Sequence, residues 1–145
     1  METLKKIISP VIMPQWYADL LLALPRIIAC FFLATRFGWS KFPTPQWFID
    51  DVGKLGLPFP FLFAWAAVLA EVFGGALLVV GLGTRIAGFF LTCTMLIAIF
   101  LQKWNNELWE KLPAMGFLWV AIFAMVLGSG RFGLDYLIFK KWNKK

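Results

Sequence analysis

Histidine is absent from this chain of 145 residues. That absence excludes a haem held by a His ligand and any zinc or di-iron site that needs imidazole. Charge is scarce as well: Asp, Glu, Lys and Arg make up 15% of the sequence, where a soluble domain carries about 25%. Cysteine is limited to Cys30 and Cys93, which sit in separate apolar runs and form no C-x-x-C pair. No nucleophile–base arrangement, phosphate loop or metal-ligand spacing occurs. Metal ligation is therefore not expected, and catalysis by the chain on its own is not the favoured reading.

What the sequence has instead is apolar length. Hydrophobic residues make up 61% and the mean hydropathy is +0.77. Four runs approach the ~20 residues that cross a bilayer as a helix. They cover about residues 18–37, 61–81, 86–101 and 112–128. The expected fold is all-α: an integral membrane four-helix bundle forming a single transmembrane domain over residues 1–145. The net charge of +6 sits at the ends of these runs and forms no continuous basic face. The expected partner is thus the lipid bilayer and not nucleic acid.

The intervening segments are readable too. Residues 42–60 hold four prolines, two glycines and the adjacent Asp50 and Asp51, so they cannot span. Within them QWFIDDVGKLG suits a short interfacial helix with Trp47 and Phe48 in the interface. Residues 1–14 read as a short interfacial segment, and the tryptophans at 16, 39, 47, 104, 109 and 142 as an interface belt. Four spans place both termini on one side. That side carries Lys5, Lys6, Arg85, Arg131, Lys140, Lys141, Lys144 and Lys145, against Arg36, Lys41, Lys54, Lys103 and Lys111 opposite. The positive-inside rule then puts both termini in the cytoplasm.

An internal repeat is also present. Residues 63–74, FAWAAVLAEVFG, align without gaps on 117–128, FLWVAIFAMVLG, with six of twelve positions identical. Duplication of a two-helix unit would match span one to span three and span two to span four. In that alignment Glu71 corresponds to Met125.

Glu71 is the lone charge in the run from Phe61 to Leu82. A carboxylate there costs roughly 2.5–3.5 kcal/mol on insertion scales unless it is paired or protonated. Ala64, Ala67, Glu71, Gly74 and Gly75 share one helical face, and small residues on it turn that face into the bundle. Arg26, on span one, is the expected partner. Two readings stay open. In one, Glu71, Arg26, Cys30, Thr92 and Cys93 surround a pocket for a proton, a headgroup or a quinone-like ligand. In the other, a Glu71–Arg26 pair only fixes helix register. Cys30 and Cys93 are read as packing residues, with a redox pair as the alternative. Arg85, Arg131 and Asp135 form a cluster at the terminal edge, as lipid anchors or as an Arg85–Asp135 clasp.

Arg26, Gly38 and Lys41, AEVFGG at 70–75, GLGTR at 81–85 and GSGRFGLD at 128–135 together resemble the DoxX family of small four-span bacterial membrane proteins. The resemblance covers about residues 20–138. It implies a four-helix bundle with cytoplasmic termini, acting as an accessory membrane subunit of a redox-linked complex, in quinone chemistry or oxidative stress. No resident cofactor is expected, with quinone as the class left open. The expected partner is a redox enzyme or a second copy of the chain. A transporter or binder of a small amphipathic ligand or ion at Glu71 and Arg26 is the alternative, and an assembly chaperone a second. Family members often carry a histidine at the end of span three, where this chain has Gln102 and Lys103.

Overall fold

A computed structural model describes residues 9–103 and 105–142. The readings made for residues 1–8, Trp104 and 143–145 lie outside the described residues. Among the described residues there is no strand, and four helices are long and apolar enough to cross a membrane.

The first, α1, begins at Trp16–Phe32 and continues unbroken through a π-helical turn, Leu33–Gly38, and a 3-10 turn, Trp39–Lys41. A short helix α2, Gln46–Lys54, follows. Helix α3 is assembled from Pro60–Leu69, a π turn at Ala70–Gly74 and Gly75–Val80. Helix α4 covers Thr84–Ile97 and ends in a π turn at Ala98–Gln102. Helix α5 is Leu108–Leu127, and α6 is Leu134–Trp142. The first span was expected to stop near Phe37. It runs on to Lys41 because the π and 3-10 turns keep the chain helical through Arg36, Gly38 and Trp39.

Lipid is as apolar as leucine, so these helices are held by close packing and internal polar bonds and not by hydrophobic expulsion. Glycine supplies the closest approaches. A Cβ on Gly38 would stand 2.8 Å from Val72 Cγ2 and 3.0 Å from the Val72 nitrogen, so the π turns of α1 and α3 touch backbone to backbone. A Cβ on Gly75 would lie 3.2 Å from the Cys30 carbonyl, one step along the same seam. Gly88 does the same for α4 against Ala121 and Met125 of α5. Around these contacts Leu33, Leu78, Leu91 and Met95 form the buried centre, and Ala64, Val68, Val72, Phe48 and Val52 a second cluster.

That second cluster corrects one expectation. Trp47 is exposed, as an interfacial residue should be, but Phe48 is 5% exposed and packs beneath α3. Helix α2 presents Phe48 and Val52 inward, one helical turn apart, and is a plug under the bundle more than a surface float.

The repeated segments lie on α3 and α5, which run in the same direction, at different heights. Phe63 is three residues into α3, whereas Phe117 is nine residues into α5. Gly74 consequently lies within α3, while Gly128 ends α5 at φ 76°.

Candidate functional site: a buried ion pair on an apolar cleft

Glu71 lies on the π turn of α3, eleven residues from Pro60, or about 16 Å along the helix axis. It is 5% exposed. Its partner is Lys41, and the expected pair with Arg26 does not form. Lys41 Nζ donates to both carboxylate oxygens, at 3.1 Å to Oε1 and 2.8 Å to Oε2. The sequence reading left Lys41 at the far interface because the apolar run ends before it. The extra helical turns carry Lys41 back over α3, and the Gly38–Val72 contact fixes the two turns at one level. The ammonium also sits 5.1 Å from the centre of the Phe48 ring, a favourable cation–π placement. Both charges of the pair are thus accounted for inside the span, which is the condition for burying an ion pair without a large penalty.

Glu71 also lines a cleft of about 210 Å³ between α2, α3 and α4. Its walls are Phe48 and Val52 from α2, Phe63 and Ala67 from α3, and Phe90 and Ile97 from α4. Phe63 and Phe90 are also exposed on the outside of the bundle, so the cleft borders the lipid side. Cys93 and Thr94 join Glu71 on its wall, and Gln102 lines it nine residues further along α4, about 13 Å away. Such a space is apolar along its length, with a carboxylate near the membrane middle and an amide toward the far face.

The remaining expected site residues are dispersed. Thr92 is buried and donates its hydroxyl to the Gly88 carbonyl at 2.7 Å, within its own helix. Cys30 and Cys93 are both free thiols. Cys30 packs in the central cluster with Leu33 and Leu78, while Cys93 faces the cleft, so the two serve different surroundings. Arg26 is 4% exposed and donates Nη2 to the Phe132 carbonyl at 3.0 Å.

That bond belongs to a second polar region, built from GSGRFGLD folded under the turn GLGTR. Gly81 and Gly133 meet so closely that a Cβ on Gly81 would be 2.6 Å from Gly133 Cα, and Gly81 itself has φ 71°. Only glycine fits both demands. Asp135 then reaches the start of α4. Its carboxylate accepts from the Gly83 nitrogen at 2.8 Å, the Thr84 nitrogen at 3.0 Å and the Thr84 hydroxyl at 2.7 Å. This is helix capping supplied from a distant segment, with the negative charge at the positive end of the helix dipole. The Arg85–Asp135 clasp, the alternative to lipid anchoring, does not form, because the Gly83 and Thr84 donors at the start of α4 take the carboxylate. Arg131 pairs instead with Asp19, Nε to Oδ2 at 2.9 Å, and donates Nη2 to the Met13 carbonyl. Arg85 stands near Gly128, its Nε 3.6 Å from where a Cβ would be.

Lys41, Asp19 and Thr84 were thus missing from the expected sites. The signal for Lys41 was present in its spacing from Gly38, one turn away on a helix extended by a residue. Asp19, buried at 2%, and Thr84, at 0%, gave none beyond being polar residues at span starts.

The DoxX family model matches residues 20–104, a region that holds α1 from its second turn and all of α2 to α4, and with them Lys41, Glu71 and Cys93. A protein of Bacillus subtilis (strain 168) named "Putative oxidoreductase CatD" is 34% identical over 110 residues, covering 71% of this chain and 76% of that protein. No solved structure matches significantly. A multi-pass bundle whose family match spans the helices of the buried pair and its cleft identifies the chain: it belongs to the DoxX family.

Proposed function

We propose that the protein is an accessory membrane subunit of a redox-linked complex and takes a quinone-class ligand in the cleft beside Glu71. The single observation that carries this reading is a carboxylate, ion-paired by Lys41, exposed to an apolar cleft near mid-membrane. Architecture alone does not call for it, since a methionine occupies the corresponding position of the repeat. An ionisable group at such depth is functional by default. The name of the Bacillus relative supports the redox assignment. The inner membrane, with both termini cytoplasmic, is the location that the charge distribution supports.

The residues fit a quinone in kind. A quinone ring is flat and apolar on its faces and carries oxygen at two edges. Phe48, Phe63 and Phe90 offer faces to stack on, Thr94 and Gln102 carry polar groups on the same wall, and Glu71 can accept or return a proton. Bound quinone would supply two-electron chemistry that these side chains lack. The chain's own part is to hold the ring, orient it and hold a proton at the Glu71 carboxylate.

The test is photolabelling with an azidoquinone in lipid nanodiscs. Label is expected on peptides containing Phe63–Glu71 and Phe90–Ala98, displaced by unlabelled quinone and lost in Glu71→Gln. Label distributed over all lipid-facing helices would overturn the ligand assignment. Purification in mild detergent at native expression should recover a redox partner. Repeated isolation of the bundle alone would overturn the subunit assignment.

A further inference from the structure

A second cavity lies at the other end of the bundle, between α1 and α5, with a volume of about 220 Å³. Its walls are Leu22, Ala23, Trp119, Val120, Phe123 and Ala124. Leu22, Trp119 and Phe123 are half-exposed on the bundle's outer surface, so this cavity also borders lipid. Its polar lining consists of Arg26, Asp19 and the Gly128–Ser129–Gly130 segment.

Arg26 and Asp19 are the charged groups of the lining; behind them stand Arg131, paired with Asp19, and Asp135, at the start of α4. Both carboxylates are committed. Asp19 is held by Arg131 and accepts from the Met13 nitrogen at 3.3 Å. Asp135 is saturated by Gly83 and Thr84. Arg26 is 4% exposed and makes one bond, to Phe132; its Nε and Nη1 have no hydrogen-bond partner, and neither has Nε of Arg85. A buried guanidinium with unmet donors and, among the described residues, no carboxylate within bonding distance is complementary to an anion.

We infer that this cavity is a binding site for a single-chain amphiphile with an anionic head, carboxylate or phosphate. Arg26 takes the head, and the chain lies along Trp119, Phe123 and Leu22 toward the lipid. The site is separate from the Glu71 cleft: the two share no lining residue. Asp19 does not repel the head as a free carboxylate would, because Arg131 neutralises it at 2.9 Å.

The experiment is photolabelling of the full chain in nanodiscs with a diazirine-bearing palmitate. Label is expected within Trp119–Ala124, reduced at least tenfold by Arg26→Gln and unchanged by the double change Lys41→Met with Glu71→Leu. Competition by oleate identifies a carboxylate head and competition by lysophosphatidic acid a phosphate head; either supports the site. Equal competition by oleyl alcohol, which has the chain without the charge, would overturn it. So would undiminished label in folded Arg26→Gln. Should Arg26→Gln fail to insert, Leu22→Trp fills the groove from its exposed side. Loss of label then supports the site, and undiminished label overturns it.

Discussion

The two polar regions of this bundle use charge in opposite ways. At the terminal end Asp135 binds backbone N–H groups, Arg131 binds a backbone carbonyl as well as Asp19, and Arg26 binds another carbonyl. Asp135 caps a helix and Arg131 closes a loop, so both are part of how the chain folds, while Arg26 bonds one carbonyl and keeps two donors unmet. Near mid-membrane, Lys41 and Glu71 bond side chain to side chain, with Phe48 against the ammonium, and among the described residues neither side chain bonds backbone. A charge spent on backbone is explained by architecture. A pair that meets side chain to side chain, with its carboxylate on a cleft, is not.

Breaking the mid-membrane pair should have the largest effect. Glu71→Leu or Lys41→Met alone leaves a charge without its partner and should destabilise by about 3 kcal/mol. The double variant should return close to wild-type stability. Thermal unfolding in one detergent across the four proteins measures the coupling, and additive losses would dissolve the pair. The terminal region should answer differently. Asp135→Asn keeps the shape but loses an acceptor for buried donors at the start of α4, costing about 2 kcal/mol. It should lower Tm while leaving quinone affinity intact. If affinity falls with it, the independence of the Glu71 cleft from the terminal helix cap is lost.

A smaller effect, on both properties, is expected at the seam. Gly38→Ala drives a Cβ into Val72 and the backbone of Glu71. Overpacking of this kind costs about 1–3 kcal/mol. Because it displaces the π turn that carries the carboxylate, ligand affinity should drop together with Tm. The smallest effect belongs to the exposed pair Lys54–Asp51, at 2.8 Å on α2. Its hydrogen bond to Asp51 raises the Lys54 ammonium above the usual lysine value. Any stabilisation is therefore present below that usual value and fades as pH rises through the raised one. Being solvent-exposed and screened, the pair predicts no measurable shift in Tm for Lys54→Ala at neutral pH.

The spans were legible because hydropathy over about twenty residues reports directly on lipid exposure. Glu71 was legible for the same reason inverted, as a charge where the surroundings forbid one. Its partner was not. Choosing Arg26 over Lys41 rested on counting depth at 1.5 Å per residue from assumed span ends. A π turn adds a residue without adding a full step of rise, and nothing in Leu33–Gly38 announces one. Likewise Asp135 was visible as an unusual acid beside Arg131. Its true partners are the backbone nitrogens of Gly83 and Thr84, 52 and 51 residues away, and the Thr84 hydroxyl, which no local pattern encodes. The offset between Phe63 and Phe117 within their helices has the same origin. Apolar identity aligns residues by type, whereas height in the bundle is set by where each helix starts.

The central claim is that Lys41 and Glu71 form a functional centre and not a structural staple. It is tested most directly by the affinity of a soluble quinone analogue for the Lys41→Met, Glu71→Leu double variant in nanodiscs. The account predicts a folded protein of near wild-type Tm whose affinity has fallen at least tenfold. Wild-type affinity in that variant would contradict it.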